Sequence, residues 1–302
     1  MRLVIGIGGN ALLKRGEPLS AENQARNMAM SARGIAQICA GHEVAVVHGN
    51  GPQVGLLALE AASYKGVDPY PFDVLGAESQ GMIGYVIAQA MRNALPGREV
   101  AALLTQTRVD AGDAAFQHPT KPIGPTYTKA EIAALDPHLA FRFAADGAQF
   151  RRVVASPQPL DIVELPAIER LVTDGVLTIC CGGGGIPVVD EDGAGRRLKG
   201  IDAVIDKDLA SALLAVKIKA DRLIILTDVD GVFTDWMLPT QALVRSATVA
   251  ELRAMTFPEG SMRPKVEAVC RFVAETGMPA SIGNLRAAMN VASGTAGTTV
   301  PQ

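Results

Sequence analysis

Val44-Ala45-Val46-Val47-His48-Gly49-Asn50-Gly51 decides the fold class. A short apolar run ends abruptly at glycines, and a helix-like stretch follows. The same order recurs along the chain. Residues 3–7 lead into Gly8-Gly9-Asn10, residues 177–181 into Gly182-Gly183-Gly184-Gly185, and residues 222–226 into Thr227-Asp228. Unbroken apolar runs of this length suit strands buried on both faces of a sheet. Segments 20–40, 79–95, 166–174 and 208–215 read as helices between them. Ser20 with Asn23 offers a helix start and Gly41 a stop. Strand, glycine loop and helix in alternation predict an α/β fold, an open and mostly parallel sheet sandwiched by helices. Such sheets bind ligands at the carboxyl ends of their strands, where these glycine loops fall.

The rhythm lapses over residues 108–152, which carry Pro119, Pro122, Pro125 and Pro137. A structureless loop of that length does not suit a compact domain. The reading is one domain over 1–302 with a small protruding lid subdomain inserted at 108–152.

Composition excludes several classes. The 302 residues carry a formal net charge of −3, so nothing draws the chain generally to nucleic acid or anionic membrane. The four cysteines form no CxxC pair and do not cluster with the four histidines, which argues against zinc. They read as buried apolar residues of a reducing compartment. The N-terminal stretch, broken by Gly6, Gly8 and Gly9, reads as a core strand and loop rather than a signal peptide. No apolar run reaches the roughly 18 residues that span a bilayer. A cytoplasmic location is the expectation.

Gly6-Ile7-Gly8-Gly9-Asn10-Ala11 matches the loose GxGxxA dinucleotide fingerprint. The second strand, however, ends in His48-Gly49-Asn50-Gly51, without the carboxylate that would hold a ribose. The P-loop pattern GxxxxGK(S/T) is absent. Several separate glycine loops remain. Glycine lets backbone N–H groups approach phosphate closely, and helix N-termini add a favourable dipole. Phosphoryl transfer also needs cations around spreading negative charge. Lys121 lies between prolines, Lys207 beside Asp206 and Asp208, and Lys265 just after Pro264. Asp208 could orient neighbouring lysines through charge-assisted hydrogen bonds. Thr227-Asp228-Val229-Asp230 could contact a nucleotide or the shell of its Mg²⁺. His48 reads as a hydrogen-bonded structural residue, and Ser79 and Ser261 lack the partners of a serine hydrolase.

These motifs in this order resemble the carbamate kinases of the amino-acid kinase family. The resemblance rests on Gly8-Gly9-Asn10-Ala11-Leu12, on the run from His48 through Pro52-Gln53-Val54-Gly55, on Gln80-Gly81-Met82-Ile83-Gly84-Tyr85 and on Lys121-Pro122-Ile123-Gly124-Pro125. It continues through Arg151-Arg152-Val153-Val154, Gly182 to Pro187, Ile205-Asp206-Lys207-Asp208, Thr227 to Asp230 and Ser261 to Ala268. It implies an eight-stranded sheet, a homodimer and the reaction ATP + carbamate ⇌ ADP + carbamoyl phosphate. The expected use is ATP formation in arginine, agmatine or ureide catabolism. Mg²⁺ would come with ATP or ADP, held mainly by nucleotide phosphates rather than by protein ligands. By motif position, Lys121, Lys207, Asp208 and Lys265 would be catalytic. Gly8, Gly9, Asn10, Gly49, Asn50 and Gly51 would bind the acid. Gly183, Gly184, Thr227, Asp228, Val229, Asp230, Met262, Pro264 and Lys265 would bind the nucleotide.

Four departures from the family pattern stand out. Arg263 replaces a glycine, Ala155 replaces a proline, Ala144-Ala145-Asp146-Gly147-Ala148-Gln149-Phe150 lacks the expected glycine- and arginine-containing form, and Phe233-Thr234-Asp235-Trp236-Met237 differs from the expected nucleotide wall. They leave two alternatives open: a paralogue acting on another small acid, or a weakly active nucleotide-binding regulatory protein.

Overall fold

The structure, a computed structural model, describes residues 1–14, 16–64, 66–135, 141–257 and 261–302. The chain opens with β1 (Arg2–Ile7), α1 (Ala21–Cys39), β2 (Glu43–His48), α2 (Gly51–Ser63), α3 (Phe72–Ala94), β3 (Val100–Ala102) and β4 (Gln106–Arg108). An insert follows: β5 (Lys121–Tyr127), α4 (Lys129–Ala133), β6 (Arg142–Asp146) and β7 (Gln149–Val154). Next come β8 (Asp161–Ile162), α5 (Leu165–Thr173), β9 (Leu177–Ile179), β10 (Ile186–Asp190), β11 (Leu198–Gly200) and α6 (Lys207–Lys217). The last part holds β12 (Arg222–Thr227), β13 (Val232–Thr234), β14 (Ala242–Val244), α7 (Val249–Ala254), α8 (Met262–Thr276), β15 (Ala280–Asn284), α9 (Ala288–Ser293) and β16 (Thr298–Val300).

The main sheet has the order β16-β15-β12-β1-β2-β9-β3. Its strands pair in parallel except β16, which runs antiparallel to β15. Alternate side chains of each strand enter opposite cores, the consequence of a two-residue period. Val4, Ala45, Val47, Leu223 and Ile225 face the core closed by α5, α6 and α8. Leu3, Ile5, Val44, Val46 and Ile224 face the core closed by α1, α3 and α9. Both faces are therefore dry, which is why the strands read as unbroken apolar runs.

The main sheet has seven strands, not the eight expected. A second sheet, β11-β10-β4-β8, takes the remaining run. The cause is the segment between β9 and β10. Cys181, Gly183, Gly184 and Gly185 all have positive φ and turn the chain out of the main sheet plane. Helix α3 also begins at Phe72 rather than near Ser79. Phe72, Leu75, Gly76, Ser79, Ile83 and Ile87 form its buried stripe at helical spacing, which Asp73 and Glu78 mask in the sequence.

The insert forms its own antiparallel sheet, β5-β7-β6, running from Lys121 to Val154. Arg108, the first residue of the expected lid, instead ends β4 in the second sheet. Pro137 lies outside the described residues. Backbone contact docks the insert on α2. A Cβ added to Gly55 would fall 2.2 Å from the Cα of Gly124, which itself has φ +67°. Arg152 of β7 adds a second tie. Its guanidinium lies 3.5 Å from the Phe141 ring centroid and 4.9 Å from that of Phe72. Phe72 N in turn donates to Asp202 Oδ1 at 2.8 Å.

This close approach makes a testable statement. Gly55→Ala overpacks the α2–β5 contact and lowers stability by about 1–3 kcal/mol. Gly81→Ala, at an exposed helical position with open space beyond Cα, raises it by about 0.5–1 kcal/mol. Paired thermal and urea unfolding curves check both signs.

Candidate active site

The carboxyl ends of β1, β2, β9 and β12 lie side by side, and each releases a loop into one cleft of about 760 Å³. After β1, Gly8 N donates to Leu226 O at 3.0 Å and a short helical turn begins at Gly9. After β2, Gly49 N donates to Ile7 O at 3.1 Å, and α2 starts at Gly51 with Pro52 in its first turn. Missing side chains let these loops interlock. A Cβ on Gly49 would sit 3.4 Å from both Gly9 N and the Lys207 side chain. One on Gly183 would collide with Asn50 at 2.2 Å. Asn50 is thereby held under the β9 loop, and its Nδ2 donates to Ser79 Oγ at 2.9 Å. Gln80, buried on α3, fixes the same loop from below. Its Nε2 donates to Gly182 O at 2.9 Å, and its Oε1 accepts from Thr105 N at 2.8 Å.

Helix α6 brings the charges. Asp206 is its N-cap, with Oδ1 accepting from Asp208 N at 2.8 Å, the expected use of a carboxylate at a helix start. Its other oxygen pairs with Lys121 of the insert. Asp208 is buried, and each of its oxygens holds a lysine. Lys207 Nζ donates to Oδ1, and Lys265 Nζ donates to Oδ2 at 3.1 Å. Burial opposes ionisation of Asp208, but the two adjacent ammonium groups outweigh it and hold the carboxyl well below the usual range. Lys207 is itself buried, and desolvation pulls its pKa down against the attraction of Asp208. For Lys265 burial acts downward too, but the carboxylate charges prevail and raise its pKa. Lys265 Nζ also donates to Ser261 O at 3.2 Å, which ties it to the start of α8.

Most residues expected at the site line this one cleft: Gly8, Gly9, Gly49, Asn50, Gly51, Lys121, Gly183, Lys207, Asp208, Thr227, Asp228, Val229, Met262, Pro264 and Lys265. Two expected residues do not line it. Gly184 packs against the Ile205 backbone, and its carbonyl accepts from Thr107 Oγ1 at 2.9 Å, so it shapes the loop from behind. Asp230 turns away and accepts from Asn284 Nδ2 at 2.9 Å. The Asn10 side chain lies outside the described residues. Arg263 sits exposed in the first turn of α8 with helical backbone, so that position needs no glycine. The sequence reading gave no role to Asp206 or Arg151, and it named Phe233 and Trp236 only within a segment that differs from the expected nucleotide wall; all four line the cleft. Asp206 carried a usable signal, an acid directly before a helix and two residues before Asp208.

Among the described residues, no group of three or more His, Cys, Asp or Glu side chains could hold a metal ion. Asp206 and Asp208 are committed to lysines and backbone, and Asp235 accepts from Thr240 Oγ1 at 2.9 Å. Asp228 accepts from Thr227 Oγ1 at 3.2 Å.

His48 behaves as a structural residue. Its Nδ1 lies 3.1 Å from Gly49 O, a pure acceptor, so Nδ1 carries the proton. Its Nε2 faces Gly182, where a Cβ would come within 2.3 Å. Burial pushes its pKa down from 6.5 to about 4.

The cleft therefore defines the class: an α/β protein with a candidate polyanion site made of glycine loops, helix N-termini and a carboxylate-organised lysine set. The sequence pattern of the amino acid kinase family matches residues 1–284. Carbamate kinase of Rhizobium meliloti is 51% identical over 94% of this chain and 88% of its own length. Carbamate kinase of Escherichia coli K12 is 49% identical over 99% of this chain and 98% of its own. The structure of Giardia lamblia carbamate kinase bound to AMP-PNP superimposes with a TM-score of 0.89 at 39% identity, covering 99% of this chain and 98% of that one. The chain belongs to the amino acid kinase family and, within it, to the carbamate kinases.

The His48 environment sets a pH dependence. The folded state keeps this ring neutral down to about pH 4, whereas the unfolded chain takes up its proton near 6.5. The unfolded state thus binds more protons between those values, and stability falls as pH drops through that window. The loss from this residue between pH 7 and 5 is on the order of 2 kcal/mol. Urea unfolding at both pH values measures it, and an NMR titration of the His48 ring should show no protonation above pH 5.

Proposed function

We propose that the cleft transfers a phosphoryl group reversibly between ATP and carbamate, giving ADP and carbamoyl phosphate. The observation that carries this reading is the pairing of Asp208 with both Lys207 and Lys265 at the floor of a cleft ringed by glycine loops. A metaphosphate-like transfer needs positioning and positive charge rather than a strong base. Carbamate already carries an anionic oxygen to act as nucleophile, so the neutral, enclosed His48 is not required. In this reading Gly8, Gly9, Gly49 and Asn50 hold the acid with their short loops. Thr227, Asp228, Val229, Met262 and Pro264 face the nucleotide. Lys207 and Lys265 neutralise its phosphates, and Asp208 fixes where those charges stand. Lys121 reaches the transferring group from the inserted lid. Its pairing with Asp206 means that an incoming phosphoryl group competes for the same ammonium.

Mg²⁺ arrives with the nucleotide, held mainly by its phosphates, and when bound it offsets their negative charge. The physiological use read from the family is ATP formation from carbamoyl phosphate, in the cytoplasm. Among the described residues, no helix is long and apolar enough to cross a membrane. A homodimer is part of the proposal. Most apolar residues of α3 are committed to the chain's own core, and the outward face bears Val74, Glu78, Gly81, Tyr85, Gln89 and Arg92, so Val74 and Tyr85 are its apolar contribution. A dimeric mass in solution supports that element, and a monomer at micromolar concentration removes it.

The direct test is ATP formation from ADP, Mg²⁺ and carbamoyl phosphate by the purified protein. Turnover above a no-enzyme control is expected, and its absence overturns the proposal. Lys121→Ala should cut kcat about 10²-fold or more, the cost of removing one preorganised charge from the transition state. The Kd for ADP by calorimetry should move little, because this charge acts chiefly on the transferring group.

A further inference from the structure

Arg152 of β7 follows Arg151 directly, but unlike Arg151 it does not line the cleft. Its guanidinium is stacked between two rings, Phe141 just before β6 and Phe72 at the start of α3. Burial pulls its pKa down to about 10, against the attraction of Asp202, so it stays cationic at neutral pH. Partial desolvation strengthens cation–π attraction, and a planar guanidinium stacks on a ring as an ammonium cannot. The two rings belong to different parts of the chain. Phe141 moves with the insert. Phe72 is fixed in the body, buried with Val54, Leu75 and Val204, and its N donates to Asp202. Arg152 therefore bridges insert and body.

Strand register connects this joint to Lys121. Ile123 of β5 lies opposite Arg152, and Lys121 lies opposite Val154. With a period of two along each strand, these four residues share one face of the insert sheet. Ile123 and Val154 pack with Phe72 in one apolar cluster. One residue on, Ala155 O accepts from Val204 N at 2.9 Å, in the segment that leads to Asp206, the partner of Lys121. Little else fixes the outer part of this sheet, since β6 is almost wholly exposed and β5 only partly buried.

We propose that Arg152 is a positioning residue for Lys121: clamped between Phe72 and Phe141, it sets how the β5–β7 pair sits over the cleft and so where the Lys121 ammonium stands. The inference rests on the phosphotransfer reading above and adds to it a residue that acts without touching substrate. A reacting charge displaced by about 1 Å loses up to about 10²-fold in rate, so a joint outside the cleft can govern turnover.

The test is a double-mutant cycle on kcat for ATP formation from carbamoyl phosphate and ADP. Arg152→Met keeps the apolar stem and removes the charge. It should lower kcat about tenfold or more and leave KM for ADP unchanged. Arg152→Lys, still cationic but without the planar face, should recover part of that loss. Phe141→Leu, which removes only the ring of the insert, should give a smaller loss of the same kind. In a Lys121→Ala background, Arg152→Met should lower kcat no further, because nothing is left for it to position. A merely structural tie would give the same fold-loss in both backgrounds, and that result overturns the proposal, as does an unchanged kcat in folded Arg152→Met. Should Arg152→Met fail to fold, the same cycle with Phe141→Leu decides by the same two outcomes. The wild-type assay separates the two levels. No ATP formation sinks the phosphotransfer reading and this inference with it, whereas a wild type that turns over, with independent effects of Arg152 and Lys121, sinks the positioning role alone.

Discussion

One carboxylate, Asp208, holds two ammonium groups, and the geometry of the cleft depends on that arrangement. Lys207 comes from α6 and Lys265 from α8, helices that pack together on one face of the main sheet. Two buried like charges repel, and each would be costly to bury alone. Asp208 removes both difficulties, and both its oxygens are used for it. Asp206 sets the position of Asp208 by capping the helix at its start, and its second oxygen reaches the lid through Lys121. A single helix terminus therefore connects three lysines from three parts of the chain.

The glycine loops make the complementary contribution. They place backbone where side chains cannot fit, as at Gly49 against Lys207 and Gly183 against Asn50. The lysines supply charge and the glycines supply room, so the floor of the cleft is closely packed and cationic at once. The far wall is built differently, from Phe233, Trp236 and the segment before α8, and it is more open to solvent.

Much of this was legible in the sequence. The parallel strands showed as unbroken apolar runs because both faces of the sheet are dry, and the glycines marked strand ends because only short loops fit there. Other features were not legible. The eighth strand that the resemblance implied is absent from the main sheet, where positive φ at Cys181, Gly183, Gly184 and Gly185 turns the chain in a direction that hydropathy does not encode. The start of α3 was hidden by Asp73 and Glu78, which point away from its buried stripe. Gly184 and Asp230 were assigned to the cleft by position in their motifs, yet one turn of backbone directs each elsewhere. Arg263 looked disruptive beside Lys265, but it lies exposed in a helical first turn and leaves the lysine in place. In each case the residue type was visible and the local backbone direction was not.

The central claim is that the Asp208 carboxylate organises the lysines for phosphoryl transfer. Asp208→Asn keeps the side-chain shape and removes the charge. The variant should fold with an unchanged near-ultraviolet spectrum, and its rate of ATP formation from carbamoyl phosphate and ADP should fall by about 10²-fold or more, as for loss of a preorganised electrostatic element. A folded Asp208→Asn protein that turns over at close to the wild-type rate would contradict the account.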